Sequence, residues 1–236
     1  LLLGVYLVLL TPCIDYVVVF THLGRGDARL VLASTPLLLL TQMLLLPVYL
    51  WLFMGEQAAQ VMSAEPFLEA FLILIAFPLG LALLTEFWAK RQRSGATWLE
   101  VTAWFPVPFM AVTLLLVVAS QIGRIEEYLP VVEQVVPVYI AFMAIMPFLA
   151  RLIAYAFRLD TQAGRALVFS AGTRNSLVVL PLALALPDGW ILASVVIVTQ
   201  TLVELVGELI YIRLVPSIIF QESKSLEISK ALSKKK

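Results

Sequence analysis

TPCID, residues 11–15, follows LLLGVYLVLL and, after Tyr16, precedes VVVF. A proline, a lone cysteine and an aspartate thus sit inside an apolar run long enough to cross a bilayer. A second interruption, SAGTRNS, spans Ser170 to Ser176 inside another long apolar run. Pro12 removes a backbone donor and crowds the preceding turn, and Gly172 among Ser, Thr and Asn offers the backbone non-helical alternatives. Both stretches are candidate unwound points. In a membrane, unwound backbone survives only where it is buried in protein or lines a water-filled site.

The surrounding chain supports a membrane setting. Of its 236 residues 61% are hydrophobic and 14% charged, with a mean hydropathy of +0.98, far from the balance of a soluble domain. Apolar stretches able to span about 30 Å of hydrocarbon run over 1–23, 28–54, 67–88, 98–120, 129–153, 163–186 and 190–212. They read as helices, since barrel strands would alternate apolar and polar residues. The expected fold class is therefore an all-α polytopic membrane protein, with a transporter domain over 1–216 and a polar, Lys-rich tail over 217–236. A single cysteine and a single histidine exclude an internal disulfide and the usual zinc or haem ligand sets. No cofactor or metal site is expected. A net charge of zero argues against nucleic acid as a partner; lipid is the expected surrounding.

The connections alternate in charge. Apart from Arg124 and Arg174, every Lys and Arg falls on one side, while Glu56, Glu65, Glu69, Glu126, Glu127, Glu133 and Asp188 fall on the other. The positive-inside rule then places the basic side, including Arg25, Arg151, Arg158, Arg165 and the C-terminus, in the cytoplasm of a multi-pass cell-membrane protein. Glu86 and Lys90, four apart, read as an interfacial pair. Trp88, Trp98 and Trp190 read as anchors at the membrane surface.

The first span runs inward and the sixth outward, so the two breaks lie five spans apart on elements of opposite direction. This is the pattern of an inverted five-span repeat whose discontinuous helices form a midplane site. With the broken helix fourth in each repeat, the chain corresponds to spans four to ten of ten, without the first three. Two ordinary kinked helices would give the same local pattern.

Arg174 lies inside a span. Counting from the basic ends at about 1.5 Å per residue, Asp15, Arg174 and Glu204 share a depth of about 14–15 Å. Gln200, Glu204 and Glu208 recur every four residues on one helix face. An uncompensated charge at the bilayer centre costs about 2.5–3.5 kcal/mol on insertion scales, so pairing of Asp15 with Arg174 is expected. Glu204 and Glu208 are proton-relay candidates, with helix-joining neutralisation of Arg174 as the plainer alternative. Thr35, beside Ser34 and loosened by Pro36, could turn its hydroxyl to the first break or satisfy its own helix. His22, nine residues beyond Cys13, faces away from it on a regular helix.

The run TPCIDYVVVFTHLGRGD (11–27), followed by a proline-bearing span, resembles the fourth and fifth helices of the arsenical-resistance permeases, a branch of the bile acid/sodium symporter superfamily; GTRNS (172–176) resembles the ninth. The resemblance implies a ten-helix fold with a core and a panel domain, and efflux of arsenite or antimonite. It also implies that the crossover cysteine, here Cys13, is required. With the residues of the two breaks, the candidate substrate set is Cys13, Thr11, Arg174, Asn175 and Ser176, with Pro12, Gly172 and Thr173 as crossover backbone. Asp15, Glu204, Glu208, Gln200 and Thr35 are the coupling or ion-pair candidates. The branch carries an acid in the ninth helix where Leu177 stands here, so Asp15 or Glu204 would have to supply the lost carboxylate.

As(III) is soft and favours sulfur, and one thiol engages it without the multi-thiolate capture that would slow release. A packing role for Cys13 is the alternative. A carrier of an organic anion partnered by Arg174 is the competing substrate class. An intramembrane enzyme would need a base within reach of Cys13, and a channel would not require two inverted breaks facing one site; both rank below a carrier. The partner is a small inorganic oxyacid or an organic anion, with the proton favoured over sodium as coupling ion. Homo-oligomerisation stays open.

Overall fold

The computed structural model describes residues 1–13, 16–55, 72–73, 77–184 and 191–221. All regular structure among them is helical. In chain order the helices are α1 (Leu2–Leu9), α2 (Val17–Leu23), α3 (Ala28–Met54), α4 (Phe77–Arg91), α5 (Arg93–Thr102), α6 (Pro106–Glu127), α7 (Leu129–Ala156), α8 (Thr161–Gly172), α9 (Ser176–Leu184) and α10 (Ile191–Leu214), which continues into a π-helical turn, Val215–Ile219. The protein is an all-α polytopic membrane protein. By length and apolarity, the helices 129–156 and 191–219 each suffice to cross a bilayer unaided.

Local chemistry accounts for the boundaries. Asp27 caps α3 by accepting from the backbone N–H groups of Arg29 and Leu30 at 3.0 and 3.1 Å, and Asp160 caps α8 through Ala163 N–H at 2.7 Å. Over 98–120 the expected single span is two helices, α5 and α6, separated at Ala103–Phe105. Pro106 has no N–H to donate and disfavours helical geometry at the residue before it, so a new helix starts there. α4 and α5 fold back on each other across Gln92, whose extended backbone (φ −136°, ψ 137°) makes the turn. Their contact is close: a Cβ on Gly95 would lie 2.7 Å from the backbone nitrogen of Ala89. The expected Glu86–Lys90 pair is present at 2.7 Å.

α10 is the central element, packed against α7, α1, α9, α6, α2 and α8. From Ala193 to Thr201 it is buried on all sides; beyond that, burial narrows to Glu204, Glu208, Tyr211 and Val215, a single helical face. Two apolar clusters flank the centre. One gathers Leu3, Leu7, Leu50, Tyr139, Val179 and Val196; the other gathers Val17, Val31, Phe169, Val215 and Ile219 with Cys13 and Tyr16. α1 and α9 contribute to the first, α2 and α8 to the second. The two chain breaks therefore fall at the boundary between the clusters.

Arg165, counted with the basic side, is 1% exposed within α8. Its Nε and Nη2 donate to the carbonyl of Phe220 at 3.0 and 2.7 Å, and its Nη1 to that of Arg25 at 3.1 Å. Three carbonyl contacts offset the desolvation of the guanidinium and tie the basic end of the bundle together.

Candidate functional site

Both sequence interruptions are breaks in helix. α1 stops at Leu9 and α2 begins at Val17; α8 stops at Gly172 and α9 begins at Ser176. The two breaks cross antiparallel, with Pro12 opposite Arg174. Asn175 N–H donates to the Thr11 carbonyl at 2.9 Å, and Cys13 N–H donates to the Thr173 carbonyl at 3.4 Å. Each break thus satisfies backbone groups that the other leaves open, which is how non-helical backbone can be tolerated away from water.

The ends of the half-helices are closed in the same way. Thr11 Oγ1 donates to the carbonyls of Leu7 and Val8 at 2.9 and 3.1 Å, and Thr173 Oγ1 donates to that of Phe169 at 2.8 Å. Gly172 is required by space rather than backbone angle, since a Cβ there would lie 2.6 Å from the Tyr211 ring.

α10 supplies the polar lining. Glu204, 1% exposed, accepts at Oε1 from the Tyr16 hydroxyl at 2.6 Å and at Oε2 from the backbone N–H of Arg174 at 2.8 Å. Gln200 Nε2 also donates to Glu204 Oε2. One carboxylate therefore holds both broken helices. Glu208, a turn further on, is fully buried, and neither of its oxygens has a hydrogen-bond partner among the described residues.

The Arg174 guanidinium turns back on its own chain. Nη2 donates to the Ala171 carbonyl at 2.8 Å and Nη1 to that of Thr173 at 3.1 Å, while Cζ lies 4.4 Å from the centre of the Phe142 ring. Among the described residues Nε has no partner and no carboxylate forms an ion pair with the side chain. The expected partner Asp15 lies outside the described residues.

Cys13 is fully buried beside the crossing. Asn175 reaches across to α3, donating from Nδ2 to Gln42 Oε1 at 3.1 Å. Buried side-chain atoms with no partner among the described residues cluster in this region: Asn175 Oδ1, Ser176 Oγ and Gln200 Oε1. Thr35 does not join them, because its hydroxyl donates to the Val31 carbonyl at 3.1 Å within α3. Leu177, which stands where the ninth-helix acid is expected, contributes its backbone alone to the description. Sequence reasoning missed Tyr16 and Gln42. Tyr16 sits next to TPCID and was legible as a polar aromatic at a break, whereas Gln42 carried no signal within an otherwise apolar helix.

These features define an all-helical membrane protein whose centre is a desolvated polar crossing of two broken helices. The family model described as Sodium Bile acid symporter family matches residues 1–128, and the chain belongs to that family. It is a secondary transporter of the bile acid symporter kind, in a family of transporters rather than enzymes. The matched segment contains the first break; the second lies beyond it. No curated protein matches the chain, and no solved structure does.

Proposed function

We propose that the protein exports arsenite or antimonite from the cell through the crossing of the two broken helices. The observation that carries this reading is the position of Cys13. Its N–H bonds to the Thr173 carbonyl at 3.4 Å, so the chain's one thiol is built into the point where both breaks meet. A soft, polarisable sulfur is a natural first contact for As(III). Thr11, Arg174, Asn175 and Ser176 surround the same backbone exchange and would receive the hydroxyls of the uncharged oxyacid.

The crossing supports an inverted repeat. The bond from Asn175 to Thr11 and the bond from Cys13 to Thr173 interchange when Thr11, Pro12 and Cys13 are mapped onto Thr173, Arg174 and Asn175. That two-fold relation is expected of paired discontinuous helices in a ten-helix carrier. Charge asymmetry supports a cell-membrane location with the C-terminus inside.

The test is metalloid accumulation and resistance in cells expressing the protein with and without Cys13→Ser. Serine preserves size but not softness, so loss of resistance with normal membrane insertion is expected. Full resistance in the variant would return Cys13 to packing. A second reading, transport of an organic anion, rests on Arg174, whose Nε is buried at the crossing without a partner among the described residues. Uptake of a carboxylate or sulfonate that survives Cys13→Ser and is lost in Arg174→Gln would favour it.

A further inference from the structure

At the basic end of the bundle a cavity of about 940 Å³ opens between the last turns of α7 and the chain that follows the π-helical turn. Arg151, Tyr155 and Arg158 line one wall; Ile218, Phe220 and Gln221 line the other. Arg151 and Tyr155, four apart on α7, share a helix face, and Arg158 joins them from the turn just past the helix end. Among the described residues no acid lines the cavity and neither arginine has an ion-pair partner. Two arginines thus line one space in which no described carboxylate matches their charge.

Both walls are held by other contacts. Arg158 adopts a left-handed backbone, φ 52°, at the end of α7. That end is closed by backbone bonds alone, from Arg158 N–H to Tyr155 at 3.1 Å and from Leu159 N–H to Ala154 at 2.9 Å. The Arg158 side chain is therefore not needed as a cap. Opposite, the carbonyl of Phe220 is gripped by buried Arg165 at 2.7 and 3.0 Å, and the Phe220 ring packs against Gly164.

The depth of the cavity indicates its ligand. α7 is long and apolar enough to cross a bilayer, and the cavity sits at its end. Tyr155 and Phe157, 84% and 76% exposed there, are aromatics of the kind that mark the headgroup layer. The chain that continues past Gln221 carries five lysines against Glu222 and Glu227, so its net charge has the same sign as that of the two arginines.

We propose that this cavity is a binding site for a phosphate group, presented by an anionic phospholipid headgroup or as free phosphate, with Arg151 and Arg158 as its charged donors. The experiment uses the full chain, delipidated in neutral detergent, with thermal unfolding and native mass spectrometry as readouts. Phosphatidylglycerol, phosphatidylcholine and inorganic phosphate are titrated separately. Saturable binding with a raised unfolding midpoint for phosphatidylglycerol alone assigns the headgroup; an equal response to inorganic phosphate assigns the free anion. Either supports the site. Arg151→Gln and Arg158→Gly should each weaken binding roughly fivefold. Glycine suits the left-handed backbone, so Arg158→Gly keeps the fold while removing the charge. No response to any of the three probes overturns the proposal. So does equal weakening by Arg213→Gln, a basic residue outside the cavity, because that would mean general attraction to the basic face.

Discussion

The backbone N–H of Arg174 donates to Glu204 Oε2 at 2.8 Å, so a carboxylate on α10 completes the hydrogen bonding of the break between α8 and α9. The other oxygen of the same carboxylate takes the Tyr16 hydroxyl at 2.6 Å, from the break between α1 and α2. α10 is continuous through this depth. It acts as a fixed post to which two discontinuous helices are tied, and movement of either break has to stretch or exchange a bond to Glu204.

Glu204→Ala should destabilise the bundle by about 2–4 kcal/mol, since three donors lose their acceptor and the Arg174 N–H is left buried and unpaired. Tyr16→Phe should cost about 1–2 kcal/mol. Because the two residues share a bond, the double variant should be less destabilised than the sum. Unfolding in detergent followed by circular dichroism measures all three; additive losses would mean that Tyr16 and Glu204 are not coupled.

Glu208 invites the opposite experiment. Its two oxygens are buried without hydrogen-bond partners among the described residues, so replacing the carboxyl by an apolar side chain of similar length removes a desolvated polar group and leaves no described partner orphaned. Glu208→Met should therefore hold stability level or raise it by about 1–3 kcal/mol. If Glu208 relays protons, the same variant should lose transport driven by a pH gradient. A stable variant with undiminished pH-driven transport would remove Glu208 from coupling.

Close approach makes contrasting predictions for two glycines. At Gly4 a Cβ would lie 2.9 Å from backbone atoms of Ala193, whereas at Gly80 nothing lies within 4 Å. The backbone of Ala193 cannot yield as a flexible side chain can, so Gly4→Ala should cost about 1–3 kcal/mol by forcing α1 from α10. Gly80→Ala, inside α4, should be neutral or stabilise by up to about 1 kcal/mol through helix propensity. Midpoints of thermal unfolding, measured side by side, check the pair.

Both breaks were legible because proline, glycine and small polar residues stand out in an apolar run, and the α10 face was legible because Gln200, Glu204 and Glu208 recur at helical spacing. What closes the site was not. Tyr16 meets Glu204 across 188 residues and Asn175 meets Gln42 across 133, and no local pattern encodes such pairings. The burial of Arg165 was hidden for a related reason, since its place on the basic side does not tell that the carbonyls of Arg25 and Phe220 converge on it. The separation of α5 from α6 was hidden because hydropathy stays high through Trp104 and Phe105, and Pro106 alone marks it.

The last prediction is that transport does not require sodium. A hard cation at a helix break needs several oxygen ligands, and backbone carbonyls freed by the break are the obvious source. In this protein the carbonyls of Ala171 and Thr173 already accept from the Arg174 guanidinium at 2.8 and 3.1 Å. The same positive charge would repel an incoming ion through a medium of low dielectric, and leucine stands at position 177 where the resembling permeases carry an acid. A tethered guanidinium would then do the work of a bound cation, orienting the broken ends and leaving a proton gradient or the membrane potential as the expected energy source. Everted vesicles loaded with the protein should accumulate arsenite equally well in sodium and in choline, and an imposed pH gradient should change the rate. Uptake that needs sodium and ignores collapse of the pH gradient would sink the idea, and would mean that the Arg174 side chain leaves Ala171 and Thr173 during the transport cycle.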